Sequence, residues 1–278
     1  MAENSNQIAV AAANFAHVFP SQVYKAIKEK AGASHEILQV STFGMADSEA
    51  ERLKKLLERN RPAGLICVCL APPAEILGLY RECGIPAVII DEKVEGYTTI
   101  TTDNMAGGRI AAEHFIKIGR KKAAVISGRL TVEGSYNAQQ RYSGFKRALA
   151  AYGVAFDEFN LAQVVNYAYN EGAEAFDRFM KSKADIDAVF CAAGDMCALG
   201  VLKAAREHKV PVPEQVALIG YDDIDQARTS KPPLTTIRQP IRQMAEKAYD
   251  MIVHEGDSLL MAGRPVVFNP ELVKRETA

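Results

Sequence analysis

The chain has 278 residues, of which 48% are hydrophobic and 24% are charged, with 19 Gly and 12 Pro. This is the composition of an ordinary globular protein, and it excludes a disordered or collagen-like chain. Lys and Arg total 33 against 34 Asp and Glu, which gives a formal net charge of -1. Sustained binding to a phosphate backbone needs a basic stripe, and neither the total charge nor its local pattern supplies one. We therefore do not expect this chain to bind DNA by itself.

The beginning of the chain and its cysteines indicate a reducing compartment. The first seven residues contain no basic region of the kind that opens a secretory signal. The longest apolar stretch, residues 63–79, is interrupted by two prolines and a glutamate, so no membrane-spanning helix is expected. The five cysteines form an odd set, which favours free thiols. Cys67 and Cys69 are predicted to share one strand face as a buried pair, with a metal or redox site as the alternative. The sequence therefore predicts a cytoplasmic protein without membrane contact.

Short apolar runs alternate with segments of helical period along the chain. The first strands are predicted at residues 8–12, 35–40, 64–70 and 87–90, with helices at 21–30, 48–59 and 74–82 between them. Ser48 and Glu51 are predicted to form a capping box, because the hydroxyl and the carboxylate satisfy unpaired backbone N–H groups. The pattern then repeats, with helices at 104–118, 139–152, 171–181 and 196–208 and strands at 123–127, 161–165, 188–192 and 216–220. An extended segment at 234–239, a helix at 241–254 and a strand at 266–268 complete the chain.

This alternation predicts an α/β protein with parallel sheets covered by helices on both faces. Two successive sets of strands indicate two similar lobes rather than one very wide sheet. The chain is expected to cross between the lobes near Asp103, Gln239 and Gly263. The predicted N-terminal lobe therefore comprises residues 7–103 and 240–262, and the C-terminal lobe comprises residues 104–239 and 263–278.

The common local signatures of enzymes are missing from the sequence. It contains no phosphate-binding loop of the Walker type, no dinucleotide-binding glycine motif, no nucleophile elbow and no zincin motif. The five histidines show no spacing typical of metal ligands. The sequence therefore predicts a protein that is not an enzyme and that needs neither a cofactor nor a metal.

Polar side chains follow several predicted strands at their C-terminal ends, where open α/β sheets bind ligands. These groups are residues 14–19, Asp91-Glu92, Gly194-Asp195, Tyr221-Asp222-Asp223, and Arg141 at the start of a helix. Carboxylates, a guanidinium and nearby aromatic rings suit a sugar, because planar polar groups hold hydroxyls while aromatic faces stack on the sugar ring.

Each of these groups also has a structural interpretation. The alternatives are helix N-caps for Asp103 and Asp195, turn formation for Asp223 and Asp225, and the core for Phe15 and Phe19. Asp91, Arg141 and Asp222 are harder to explain in this way, since a charge in an apolar setting is costly without a partner. The three could still pair with one another as a structural cluster.

Several motifs, taken together and in this order, resemble the LacI/GalR family of bacterial transcriptional regulators. They lie at residues 103–108, 119–122, 140–145, 220–223, 233–240 and 270–276, so the resemblance extends over essentially the whole chain. It implies the periplasmic-binding-protein-like type I fold, with two doubly wound parallel-sheet lobes joined by three crossovers. It also implies a small-molecule effector, a sugar or a related metabolite, in the cleft between the lobes.

The resemblance further implies partners and a mechanism. Family members are usually homodimers, sometimes tetramers built as dimers of dimers, that place helix-turn-helix headpieces on operator DNA. Residue 1 lies only a few positions before the first strand, so the chain is expected to be the effector-sensing core without a headpiece. Operator DNA would then be a partner only of the full-length regulator. Effector binding would act allosterically, by favouring one angle between the lobes.

By position, the family's effector contacts fall on nine residues of this chain. They are His17, Phe19, Asp91, Glu92, Asn137, Arg141, Tyr167, Asp222 and Gln239. Two positions depart from the family pattern: Gly194 stands where an Asn often binds a sugar hydroxyl, and Glu92 stands where an Arg is frequent. These departures argue against a standard hexose and favour a different sugar, a polyol or a cationic metabolite.

Two other functions remain open from the sequence. The first is a periplasmic-type solute-binding protein that serves a transporter and shares the same fold. The free cysteines and the motifs at 220–223 and 233–237 argue against it. The second is an enzyme that uses Asp91, Glu92 and Asp222 as acid and base.

Overall fold

The computed structural model describes residues 6–42, 48–132 and 135–278. Its strands, in chain order, are β1 (Gln7–Ala12), β2 (Glu36–Ser41), β3 (Gly64–Val68), β4 (Ala87–Ile90), β5 (Thr98–Thr102), β6 (Ala123–Gly128), β7 (Leu161–Val164), β8 (Ala188–Cys191), β9 (Ala217–Asp222), β10 (Thr235–Arg238), β11 (Pro265–Phe268) and β12 (Glu271–Val273). Its helices are α1 (Val18–Ala31), α2 (Glu49–Asn60), α3 (Ala74–Glu82), α4 (Asn104–Lys117), α5 (Tyr136–Ala151), α6 (Tyr169–Lys181), α7 (Asp195–Glu207), α8 (Asp225–Thr229), α9 (Ile241–His254) and α10 (Gly256–Met261).

The chain forms two compact units and passes between them three times. The first unit comprises Met1–Thr102 and Pro240–Phe268, and the second comprises Asp103–Gln239 and Asn269–Ala278. The crossings therefore follow β5, β10 and β11. The described strands of each unit form one sheet.

In the first unit, the described residues form a parallel sheet with the strand order β11-β5-β4-β3-β1-β2. β3 is buried along its whole length, which explains its continuous apolar sequence, since a parallel strand covered on both faces has no polar side. Residues of α1 and α9 pack on one face of the sheet around Val10 and Ile66. Residues of α2 and α3 pack on the other face around Leu65 and Ile89.

The second unit repeats this arrangement with one change of direction. Within the described part its strand order is β12-β10-β9-β8-β6-β7, and β12 runs antiparallel to β10 while the other neighbours are parallel. Residues of α4 and α5 bury Phe115 and Phe145 against one face of this sheet. α6 and α7 contact each other and pack against β7, β8 and β9. The predicted α/β fold with two doubly wound sheets and three crossovers is confirmed.

The last crossing lies further along the chain than the sequence indicates. Residues 263–268 belong to the first unit, because β11 pairs in parallel with β5 and joins Pro265 to Thr99 in register. The apolar run 266–268 is equally compatible with either sheet, so its composition alone does not assign it. β5 itself is missing from the predicted strands, since its sequence Thr-Thr-Ile-Thr-Thr is largely polar although most of it is buried.

Two of the predicted helix caps are confirmed. The Ser48 hydroxyl accepts a hydrogen bond from the Glu51 backbone N–H at 3.3 Å, and the Glu51 carboxylate accepts one from the Ser48 N–H at 2.7 Å. The Asp103 carboxylate accepts a hydrogen bond from the Ala106 N–H at 2.8 Å at the start of α4. Asp103 is therefore a helix N-cap, which confirms the structural interpretation of this residue.

The prediction that Cys67 and Cys69 share one strand face is wrong. Cys67 belongs to β3 and packs with the α2–α3 face of the first sheet, whereas Cys69 lies beyond the strand and packs on the α1–α9 face. The physical reason is the backbone at Cys69, whose φ of 48° ends the extended alternation that would have placed both thiols on one side. Neither residue forms a disulfide.

The described residues offer no group of three or more His, Cys, Asp or Glu side chains that could hold a metal ion. None of the described helices combines the length and the apolar character that crossing a bilayer requires.

Candidate functional site

The guanidinium of Arg141 lies at the centre of a polar cluster at the carboxyl end of the second unit's sheet. Arg141 belongs to α5 and is only 7% exposed. Its Nε donates to Asn104 Oδ1 at 2.7 Å, and its Nη1 donates to the Ala192 carbonyl oxygen at 3.0 Å. The guanidinium carbon lies 3.7 Å from the centroid of the Tyr221 ring, which is a close cation–π contact. These contacts fix both the position and the plane of the guanidinium.

Asn104, which is not among the predicted contacts, joins three residues at this site. Its Oδ1 also accepts a hydrogen bond from the Tyr221 hydroxyl at 3.1 Å, and its Nδ2 donates to Asn137 Oδ1 at 2.9 Å. A side-chain amide can act in this way because it carries an acceptor and two donors. The predicted contact Asn137 is therefore linked to Arg141 through Asn104.

Asp222 ends β9 at the same edge of the sheet. Gln239, which follows β10, donates from Nε2 to Asp222 Oδ1 at 2.7 Å. Burial raises the pKa of Asp222 above its ordinary value, although the Arg141 charge and the Gln239 hydrogen bond act in the opposite direction. The structure thus brings three of the predicted contacts, Arg141, Asp222 and Gln239, to one place.

Gly194 has a steric role in this cluster. Its backbone, with φ 114° and ψ 167°, lies in a region that is essentially restricted to glycine. A Cβ atom at this position would lie 2.9 Å from Asp222 Oδ2. The space of a side chain at position 194 is therefore partly taken by the Asp222 carboxylate.

Asp195, the first residue of α7, is fully buried. Its Oδ1 accepts a hydrogen bond from the Thr236 hydroxyl at 2.6 Å, and its Oδ2 accepts one from the Ile224 backbone N–H at 3.0 Å. The N-cap position of α7 is Gly194, so the N-cap interpretation of Asp195 is wrong. Its carboxylate instead connects α7 to β10 and to the turn after β9. Burial, and then the charge of Asp222, raise the pKa of Asp195 well above its ordinary value.

We expect Asp195→Asn to gain stability relative to the wild type as the pH rises. The pKa of Asp195 is raised in the folded protein from 3.8, so above that pH the folded state keeps a proton that the unfolded state has released. The stability of the wild type therefore falls as the pH rises through this window. Asparagine is never charged, and it can keep both hydrogen bonds with its oxygen towards the Ile224 N–H and its amide towards the Thr236 hydroxyl. Urea unfolding of both proteins at about pH 4 and about pH 8 measures the effect. A difference in stability between the two proteins that is the same at both pH values would contradict the raised pKa of Asp195.

Tyr167 follows β7 in the chain, and its side chain lies beside the end of β6. A Cβ atom added at Gly128 would lie 2.1 Å from the Tyr167 hydroxyl oxygen, so the tip of the ring rests against the last residue of that strand. The Tyr167 backbone has a φ of 55°, and the side chain is 41% exposed. The second unit therefore presents an accessible aromatic ring at the carboxyl end of its sheet.

The other predicted contacts lie in the first unit. Asp91 directly follows β4 and is buried, and the Cys69 thiol donates to Asp91 Oδ2 at 3.7 Å. Glu92 is half-buried, and its burial together with the Asp91 charge raises the pKa of Glu92 to about 7. His17 is exposed immediately before α1. Phe19 packs against the core of the first unit, in line with the core interpretation of that residue.

Comparison with known proteins places this architecture in a family. The family described as "Periplasmic binding protein-like domain" matches residues 112–278, more than half of the chain. The HTH-type transcriptional repressor PurR of Haemophilus influenzae is 30% identical over 244 residues, which cover 85% of this chain and 70% of PurR. A transcriptional regulator assigned to the LacI family from Sanguibacter keddieii has a similar structure, with a TM-score of 0.81, 28% identity and 98% of each chain covered. A CelR–cellobiose complex has a TM-score of 0.86 at 24% identity, with 99% of this chain and 85% of CelR covered.

The fold is that of the periplasmic-binding-protein-like proteins of type I. The chain belongs to the LacI/GalR family of transcriptional regulators and corresponds to their effector-sensing core. These relatives are regulators of transcription, which favours this function over that of a solute-binding protein for a transporter.

Proposed function

We propose that the Arg141–Asp222 cluster, defined as Arg141, Asn104, Tyr221, Asp222 and Gln239, binds the small-molecule effector of this regulator. The observation that carries the proposal is the fixed guanidinium beside a carboxylate at the carboxyl end of a parallel sheet. Because these polar groups are held before a ligand arrives, little conformational freedom is lost on binding. Binding would change the affinity of the regulator for its operator DNA, as a coupling free energy between the two sites.

The chemistry of the cluster suits a sugar or a related polyhydroxylated metabolite. The Asp222 carboxylate accepts hydrogen bonds from hydroxyl or amino groups, and the Gln239 amide can both donate and accept. The exposed ring of Tyr167 offers an apolar face for the ring of such a ligand. In support, the structural relative CelR forms a complex with cellobiose.

We also assign Asp91 and Glu92 to effector recognition. A half-buried carboxyl with a pKa of about 7 exists at neutral pH both as an acid that donates a hydrogen bond and as a carboxylate that accepts one. A neutral polyol can use either form, whereas a cationic ligand favours the carboxylate. The pH dependence of binding would therefore distinguish these two ligand classes. His17 and Phe19 complete the assignment in the first unit.

We propose a homodimer, with a tetramer as the alternative, that contacts operator DNA through a headpiece in the full-length regulator. Such a regulator would act in the cytoplasm, and its core would bind its effector without transforming it. The regulators among its relatives support this assignment.

A thermal-shift screen tests the proposal, because a ligand that binds only the folded form raises its apparent stability by about 2.7 kcal/mol at about 100 times its Kd. The screen would include neutral sugars, polyols, amino sugars, sugar phosphates and nucleosides. We expect one class of polyhydroxylated compound to stabilise the wild type and to stabilise Asp222→Ala clearly less at the same concentration. Equal stabilisation of both proteins would place the ligand elsewhere. Chemical turnover of the stabilising compound would favour an enzyme.

A further inference from the structure

Two consecutive residues at the end of β9 have unusual backbone conformations. Asp222 has a φ of 108° and Asp223 a φ of 60°, and neither is a glycine. Positive φ values are uncommon for residues with a side chain, and they persist only where the surrounding structure holds them. The contacts of Asp223 therefore bear directly on the placement of Asp222.

The Asp223 carboxylate is held by two arginines, one at the end of β10 and one in the segment after β12. Its Oδ2 accepts a hydrogen bond from Arg238 Nε at 2.6 Å, and its Oδ1 accepts one from Arg275 Nη2. The Asp223 side chain is 9% exposed and that of Arg275 is 14% exposed, so this ion pair is largely screened from water. Hydrogen bonds between charged groups in such a setting are stronger than those between neutral groups.

Both arginines are in turn fixed by further contacts. Arg275 Nη1 donates to the Leu234 carbonyl oxygen at 2.7 Å, and the Arg275 backbone N–H donates to the Thr235 hydroxyl at 2.9 Å. Arg238 Nη1 donates to Glu271 Oε1 at 2.6 Å. Asp223 is therefore bound to β10 through Arg238, whose side chain is 46% exposed, and to the segment after β12 through Arg275, whose side chain is 14% exposed.

The geometry couples this ion pair to the Arg141–Asp222 cluster. Asp222 and Gln239 share one hydrogen bond, while their chain neighbours Asp223 and Arg238 share another. β9 and β10 are paired in parallel, with Asp222 opposite Arg238. Rotation of φ at Asp222 to a negative value would displace its Cβ, and hence its carboxylate, from the present position beside Gly194 and Gln239. The ion pair one residue further along opposes that rotation.

We propose that Asp223 is a positioning residue, which holds the end of β9 so that the Asp222 carboxylate stays beside Gln239 for effector recognition. The inference rests on the proposed function, since it gives Asp222 the role of an effector contact. It adds that the segment around β12, through Arg275 and Glu271, contributes to the affinity without touching the ligand.

The side-chain amide signals of Gln239 in a ¹⁵N-labelled protein report this arrangement without any ligand. In Asp223→Ala we expect these signals to move to the positions that they have in Asp222→Ala. Asp223→Glu keeps the charge and should return them towards the wild-type positions. Asp225→Ala is the matched control, because Asp225 is an exposed acid two residues along that forms no ion pair with any described residue.

A folded Asp223→Ala protein with wild-type Gln239 signals would overturn the proposal and leave the ion pair only a stabilising role. If Asp223→Ala does not fold, the Gln239 signals are measured in Asp223→Asn, which keeps the shape of the side chain but loses its charge. Shifted signals would then support the proposal, and wild-type signals would overturn it. Calorimetric titration with cellobiose is a second measurement, in which we expect about a tenfold loss of affinity in Asp223→Ala, comparable to weakening one hydrogen bond to a charged group. If cellobiose does not bind the wild type, that result counts against cellobiose as the effector, and the Gln239 signals alone decide the role of Asp223.

Discussion

Replacing Asp222 by alanine is expected to weaken effector binding by about tenfold to a hundredfold and to leave the fold intact. A hydrogen bond to a charged group contributes about 1.5–3 kcal/mol, and the variant removes the carboxylate that we propose makes such bonds. Its effect on stability should be small, because burial already raises the pKa of Asp222 and disfavours its charged form in the folded protein. Titration calorimetry with the compound found in the screen measures the loss of affinity, and urea unfolding measures the stability.

Arg141→Ala should abolish the same binding but should also destabilise the protein, by about 3 kcal/mol. The reason is that Arg141 is buried and donates hydrogen bonds to Asn104 and to the Ala192 carbonyl oxygen. The two variants are therefore expected to differ in stability although the effector binds less tightly to both. Arg147→Ala is the matched control, since Arg147 is an exposed arginine on the same helix. Full affinity in both Asp222→Ala and Arg141→Ala would show that the effector site lies elsewhere.

Two glycine substitutions are expected to change stability in opposite directions. Gly144 lies where α5 approaches α4, and a Cβ there would come within 2.1 Å of the Met105 carbonyl oxygen. Because the obstacle is backbone, the helices must move apart, and Gly144→Ala should destabilise the protein by about 3 kcal/mol. Gly78 lies in α3 with no atom within 4 Å of such a Cβ, so Gly78→Ala should stabilise the protein by about 1 kcal/mol.

Denaturant unfolding of the two glycine variants is the measurement, since each change exchanges the same two residue types in a helix. Equal stabilisation in both would mean that α4 and α5 do not approach each other at Gly144. If Gly144→Ala loses stability because α4 and α5 move apart, the proposed effector site should also be disturbed. The reason is that Asn104 and Arg141, which are hydrogen-bonded to each other, lie on these two helices.

The sequence predicts the order of strands and helices well where each strand is a continuous apolar run. Such runs are typical of parallel strands covered on both faces, and β3 and β8 are buried throughout. β5 escapes this signal because threonines supply most of its buried residues. β12 is only three residues long and antiparallel, so it shows little periodicity.

The candidate site is predicted in composition but not in geometry. Asp222, Arg141 and Gln239 are found by their positions after strands and at a helix, combined with the family resemblance. The bridging role of Asn104 depends on its contact with Tyr221, which lies 117 residues further along the chain. No local pattern indicates such a contact. The ion pair of Asp223 is also not indicated by any local pattern. An aspartate after a strand is equally compatible with a turn and with a contact to a distant arginine.

The structure of the protein in complex with the compound identified by the thermal-shift screen tests the central claim most directly. We expect the ligand to lie at the carboxyl end of the second unit's sheet, within hydrogen-bonding distance of the Asp222 carboxylate and the Arg141 guanidinium. A ligand bound away from both groups, in a complex formed at its measured affinity, would contradict the assignment of the effector site.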